Sequence, residues 1–498
     1  MTDPSFEFPE DDSAPEPEPA VRRGARGAVV VGARIVTGLI GTGAALVILV
    51  AASVLPLPTH DLTAPSVLVT PVGTSQQRVC AGPLLALASA TTGNATQASS
   101  FGQATVAAAS TSSPVARSKM SSTDNAAGVA PELLTVPAAG GDGSLFAGSQ
   151  SQSADSSDIV GLAASECAPG SGDSWLVGGA TSTGRTTLVT LSNPTEVAST
   201  ATITIYSENG QVSSAGTEGI DVPAGGQRVF SLAAFAPGID SPVVRVQSRG
   251  GSIVANLQQS IVRTLQPGGV DIVDPSTAPG TLSVIPGVTI SDSVAVFAQQ
   301  PQAGYEDLLS VVRLLDTGTG TAHAKISVIP EDSTAKAGPP ADVTIKPGVV
   351  TDVPLGSFPD GRYTLSISSD EPVVAGARVS TVGSTGQDDF AWYSAAQPLR
   401  GTNVMVVAPG PAPAASIANP GSIPISVTVA SSAESSVPVQ LTVPAHSAVS
   451  TPVAPDIAYT VTSTDSFQLA VGYQGDGELA SFSVGAPAVA SQAIRVYR

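Results

Sequence analysis

Residues 221–232 read DVPAGGQRVFSL: alternation, a Pro-Ala-Gly-Gly break, then alternation again. A strand sends successive side chains to opposite faces, so the stretch reads as strand, turn, strand. Pro223 suits the second position of a turn, and Gly225 or Gly226 supplies positive φ. The pattern recurs as TIKPGVVTDVPL (344–355), where Pro347-Gly348 fits a type II turn. It recurs again as LTVPAHSAVSTPV (441–453), where no glycine follows Pro444 and the turn type stays open.

What flanks these turns also recurs, in the same order. An apolar strand closing on glycine precedes each: WLVGGAT (175–181), LSVIPGVT (282–289) and VMVVAPG (404–410). A strand with a polar end follows, TLVTLSNP (187–194), SVVRLLDT (310–317) and ASIANP (415–420), and then an alternating strand. After the turn come two more strands, closing on SIVANLQQS (252–260), PVVAGARVS (372–380) and SFQLAVGYQ (466–474). At least six short strands in about one hundred residues fit an immunoglobulin-like β-sandwich, so the chain is read as all-β. The repeats fall at 174–277, 278–400 and 401–486, with a tail at 487–498. The Cys–Trp–Cys spacing of a true immunoglobulin domain is absent, which leaves Trp175 and Trp392 to pack differently or to lie at domain junctions. With 50 Gly, 41 Pro and 12% charged residues, the composition favours short strands and turns over long helices.

Residues 61–173 differ, being mostly Ala, Ser, Thr, Gly and Gln between 88 and 158. They read as a membrane-proximal β domain, the alternative being a stalk with a few strands. Cys80 and Cys167 are the two cysteines of the chain and are expected to pair, the alternative being two buried thiols.

The N-terminus carries an address. Residues 1–34 are an acidic tail with arginines at 22, 23, 26 and 34, followed at 35–55 by an uncharged apolar run long enough to cross a bilayer. Arginines on its N-terminal side place that end in the cytoplasm and the C-terminal region outside. A cleaved signal peptide ending near Val50-Ala51-Ala52 is the competing reading. Ala33, Thr37, Gly41 and Ala45 give the helix a small-residue face that suits a homodimer, although a Gly/Ala-rich span yields such runs by chance. The net charge of −19 argues against nucleic-acid binding.

Catalytic signals are sparse. His60, His323 and His446 have no partner at metal-ligand spacing, and no cofactor fingerprint is present. Ser333-Thr334-Ala335-Lys336 matches SxxK but sits in a hairpin loop without its companion motifs. Glu306-Asp307 and Asp388-Asp389 are carboxylate pairs of the kind glycosidases use. Asp388 and Asp389, near Trp392 and Tyr393, read as a glycan-binding surface or as solvated loop residues.

The run Val79-Cys80-Ala81-Gly82-Pro83-Leu84, the later Cys167, Trp175 with Gly178-Gly179, and the Asn193-Pro194 strand end, behind a short tail and one span, resemble a family of uncharacterised actinobacterial membrane-anchored proteins. The resemblance implies an envelope protein with no established activity and no catalytic residues to carry over. The expected function is a non-catalytic envelope protein binding another envelope protein or wall glycan, without cofactor. The alternatives are an extracytoplasmic enzyme acting on wall glycan or peptide, and a regulator signalling through the acidic tail.

Overall fold

The computed structural model describes residues 66–69, 75–87, 98–122, 124–125, 128–138, 144–332, 337–487 and 494–497. Strand accounts for 60% of the described residues and helix for 3%. The tail, the apolar run 35–55 and its small-residue face lie outside the described residues. Among the described residues no helix is long and apolar enough to cross a membrane. Ser66–Val69 pairs with Ile494–Tyr497 in a sheet of two strands. Residues 70–494 form a compact unit of their own, and the repeated strands all lie within it.

Three stretches each build two facing sheets with one strand order. In the first sandwich one sheet runs Asp173–Val177, Val243–Arg249, Ser199–Ser207, and then Gly210–Val212 and Ile220–Val222. The other runs Gln266–Val273, Val254–Arg263, Arg185–Ser192, Gly226–Ser231. In the second sandwich the long strand Gly361–Val382 serves both sheets. Its first half lies between Gly280–Ile290 and Ala322–Pro330, its second between Asp388–Ser394 and Val311–Asp316. The third sandwich repeats this with Ile457–Gly475, between Leu399–Val407 and Ile425–Ser431 and then between Glu478–Ser483 and Ala414–Asn419.

The same order appears a fourth time. Gln76–Val79, Glu132–Val136 and Ala116–Lys119 form one sheet; Val160–Glu166, Phe146–Asp155 and Thr105–Ser110 form the other. This N-terminal sandwich is a reduced copy of the repeat, with the hairpin Leu84–Leu87 and Ala98–Phe101 inserted after its first strand. Its core is small, built on Leu134, Val136 and Phe146 beside the Cys80–Cys167 disulfide, which ties the end of its first strand to the end of its last.

The stretch 221–232 crosses from one sheet to the other. Ile220–Val222 belongs to the first sheet and Gly226–Ser231 to the second. Gly226 N donates to Pro223 O at 3.0 Å, so Pro223 is the first residue of the turn rather than the second, and Gly225 turns left-handed with φ 61°. In the second copy Pro347 does stand second, and Gly348 has φ 72°. In the third, His446 occupies the place of Gly225 with φ 50°, a conformation that costs a residue with a Cβ about 1–2 kcal/mol. The polar strand ends brace these crossings: Asn193 Nδ2 donates to Val197 O (2.7 Å) and Val222 O (3.0 Å), and Asn419 Nδ2 to Ile423 O (2.8 Å) and Val443 O (3.1 Å). Asp316 does the reverse, accepting from Gly318 N (2.7 Å) and Ala322 N (3.2 Å).

The last strand of each sandwich completes the core of another. Phe390 and Trp392 of the second sandwich are buried in the core of the first. Val270 and Ile272 of the first pack in the N-terminal sandwich with Leu84 and Ala163. Leu162 and Ala164 of the N-terminal sandwich enter the core of the third, and Leu479 of the third enters the core of the second. The hand-off is cyclic, so the four sandwiches close into a ring around their last strands.

Candidate functional site

The four last strands, 160–166, 266–273, 388–394 and 478–483, are each the edge of a sheet. An open edge presents unpaired N–H groups and would recruit further strands. Here the edges face one another and are satisfied by carboxylates between them. Asp389 accepts from Leu162 N (2.9 Å), Val270 N (3.2 Å) and Leu479 N (3.2 Å), one amide from each of the other three sandwiches, and from its own neighbour Phe390. An ionised carboxylate has about four lone-pair sites, and all are used. Two glycines make room: a Cβ on Gly161 would collide with Asp389 Oδ1, and one on Gly269 would lie 2.8 Å from it.

Further along the strands Asp271 accepts from Trp392 N (2.6 Å). Beyond it Asp274 accepts from Glu166 N (3.0 Å) and Asn256 Nδ2 (2.7 Å). Glu166 in turn accepts from Arg78 (2.9 Å) and Gly485 N (2.9 Å). Burial pushes Asp271, Asp274 and Asp389 well above the usual carboxylate range, against the pull of these amides, and raises Glu166 against Arg78.

This corrects the glycan-surface expectation. Asp388, Asp389, Trp392 and Tyr393 are all buried and present no surface to a sugar. Asp388 is paired with Arg263. Trp392 donates from Nε1 to Gln259 Oε1 at 2.7 Å, with Arg313 stacked 4.8 Å from its ring centre. Tyr393 lies in the core of the second sandwich. Acidic residues beside aromatics look alike in a sequence whether they face solvent or a junction. Asp307 is also structural. Burial would raise it, but Arg378, Arg263 and Arg185 hold it below the usual range; its salt bridges to Arg185 (3.0 Å) and Arg263 (2.7 Å) fasten the first two sandwiches together. Its neighbour Glu306 is exposed and accepts from Gly304 N.

His323 is exposed and His446 is the left-handed turn residue of the third crossing; His60 and Ser333–Lys336 lie outside the described residues. No cluster among the described residues could hold a metal ion.

Where the last strands end, the ring opens into a depression of about 410 Å³. That volume is within the range of small-molecule sites. Glu166, Asp274 and Ser483 line it at the ends of three of the four strands, and Gln397 lines it just after the fourth. Trp175 and Arg245 form one wall, the guanidinium 4.9 Å from the indole centre and bidentate to Asp173 (2.9 and 2.5 Å). Nothing in the spacing of these residues along the chain groups them; the ring does.

A family described as a family of unknown function (DUF5719) matches residues 119–454. The chain belongs to that family. The DUF5719 match takes in Glu166, Asp271, Asp274 and Asp389, and so most of the carboxylate axis. No curated protein and no solved structure matches the chain.

Proposed function

We propose that the protein is a non-catalytic, membrane-anchored envelope protein of an actinobacterium. Residues 35–55 hold it in the membrane, and its immunoglobulin-like sandwiches act outside as a binding or scaffolding module. The observation that carries this reading is the use of the buried carboxylates. Asp274, Asp307 and Asp389 are occupied with backbone amides or arginines that join sandwiches, which leaves them unsuited to exchanging protons with a substrate. The disulfide suits an oxidising compartment outside the membrane.

A second reading, an extracytoplasmic enzyme on wall glycan or peptide, draws on Glu166 and Asp274 at the floor of the depression. Raised carboxyls in a cleft are what a general acid requires. Against it, both are already hydrogen-bonded within the protein.

The test is a crosslinked pull-down from intact cells, with a tag at residue 498 and a control carrying residues 1–60 alone. Recovery of one or two defined envelope components that depends on residues 70–487 supports the scaffold. Wall-degrading activity lost in Glu166→Gln would replace it with the enzyme.

A further inference from the structure

We infer that the depression at the end of the ring is a binding site for an uncharged, hydroxyl-rich ligand, a neutral glycan segment. The inference rests on the envelope reading above and names the site and ligand class that it would use. Trp175 is 4% exposed, with the Arg245 guanidinium over its ring and Tyr206 stacked at 6.0 Å. Yet its Nε1–H has no hydrogen-bond partner among the described residues and is not among the sealed unpaired atoms. A buried indole N–H normally finds an acceptor, as that of Trp392 does. The one at Trp175 has none among the described residues, and its residue lines the depression.

The chemistry around it sets the ligand class. Three of the four charged side chains in the lining have a countercharge, and the fourth, Asp274, is held by neutral donors. Arg245 is paired with Asp173, Glu166 with Arg78, and Asp274 is held by Asn256 and the Glu166 amide. An anionic ligand would therefore meet no unpaired cation, and a cationic one would meet only Asp274, a carboxyl that burial already pushes well above its usual range, so the desolvation of either would go largely unrewarded. What remains is uncharged: Ser174 and Ser483, whose hydroxyls both donate and accept, and the amide of Gln397, between Pro169, Pro275 and Pro279. Hydroxyl groups donate and accept at once and match such a lining. The surface lies at the ends of the four strands, away from the Asp388–Tyr393 stretch where the sequence suggested sugar binding.

The chain has two tryptophans, so ¹⁵N-tryptophan labelling of the full-length protein gives two indole N–H signals, and Trp175→Phe assigns them. Chitotriose and cellotriose are the probes. The expected result is a saturable shift of the Trp175 signal with at least one of them, the Trp392 signal unmoved, and little dependence on salt. Trp175→Phe keeps the ring stack and removes the N–H, and should weaken binding measured by calorimetry about fivefold. No shift up to roughly 20 mM sugar overturns the inference, since even weak subsites bind at millimolar concentration. A shift produced only by a basic or acidic peptide also overturns it, by showing a charged occupant. If the sugars fail while the pull-down still recovers an envelope partner, the pocket inference falls and the scaffold stands.

Discussion

Asp389→Ala removes one side chain that accepts hydrogen bonds from three other sandwiches. The amides of Leu162, Val270 and Leu479 each lose their acceptor at a buried position. A buried donor left unpaired costs about 1–3 kcal/mol, so three cost about 3–9 kcal/mol. Relief of burying a carboxyl offsets part of this, and the expected net loss is about 3–5 kcal/mol, a large share of the roughly 5–15 kcal/mol that holds a domain folded. Asp389→Asn keeps one accepting oxygen but turns an NH₂ toward backbone donors, and should lose about half as much. Urea unfolding followed by circular dichroism and tryptophan fluorescence measures both. The two probes should move together, because Trp392 sits in the core of a neighbouring sandwich. An Asp389→Ala stability within about 0.5 kcal/mol of the parent would refute the bracing role of the carboxylate, whatever the asparagine variant did.

Three further outcomes are expected. Burial raises Asp271, Asp274, Asp389 and Glu166, so their favourable contribution is complete below the unfolded carboxylate value near pH 4 and fades as pH climbs through the folded values. Asp307 and Asp352, held low by arginines against burial, act oppositely and lose their contribution only in stronger acid. Urea midpoints should therefore be higher at pH 5 than at pH 8, and Asp271→Asn, which still accepts from the Trp392 amide but cannot ionise, should flatten that slope. Cys80→Ser with Cys167→Ser opens a link of sequence separation 87 and should cost about 4–5 kcal/mol in the chain-entropy picture, read by the same denaturation. His446→Gly relieves a left-handed φ and should raise stability by about 1 kcal/mol, seen as a higher melting temperature.

The local half of this structure could be read from the chain. Period-two alternation and Pro/Gly breaks locate strands such as Arg185–Ser192 and Ala322–Pro330, and the polar strand ends at Asn193, Asp316 and Asn419 turn out to brace the sheet crossings. The N-terminal copy is hidden because its strands are short and its core small, so Ala and Ser carry little periodic signal. The axis is hidden for a different reason. Asp389 depends on Gly161, Gly269 and Leu479, the nearest of them at a sequence separation of 90, and no local pattern marks an edge strand that will be closed by a distant carboxylate. A clue is present in QDDFAWYS (387–394), where two acids open a strand that is otherwise largely apolar and aromatic. Such a strand can tolerate them only if amides or arginines await them.

The cyclic exchange of core residues also sets a timetable. A chain made from its N-terminus delivers Leu162 and Ala164 long before the third sandwich exists to receive them. Val270 and Ile272 fill the N-terminal core early, but Asp389 has its last amide only when Leu479 arrives. The nascent molecule must therefore carry an uncovered apolar strand and an incomplete axis until almost the whole chain has emerged. Its maturation hinges on a late closing event rather than on finishing one sandwich at a time, and a chaperone that shields 160–166 during that interval would govern its yield.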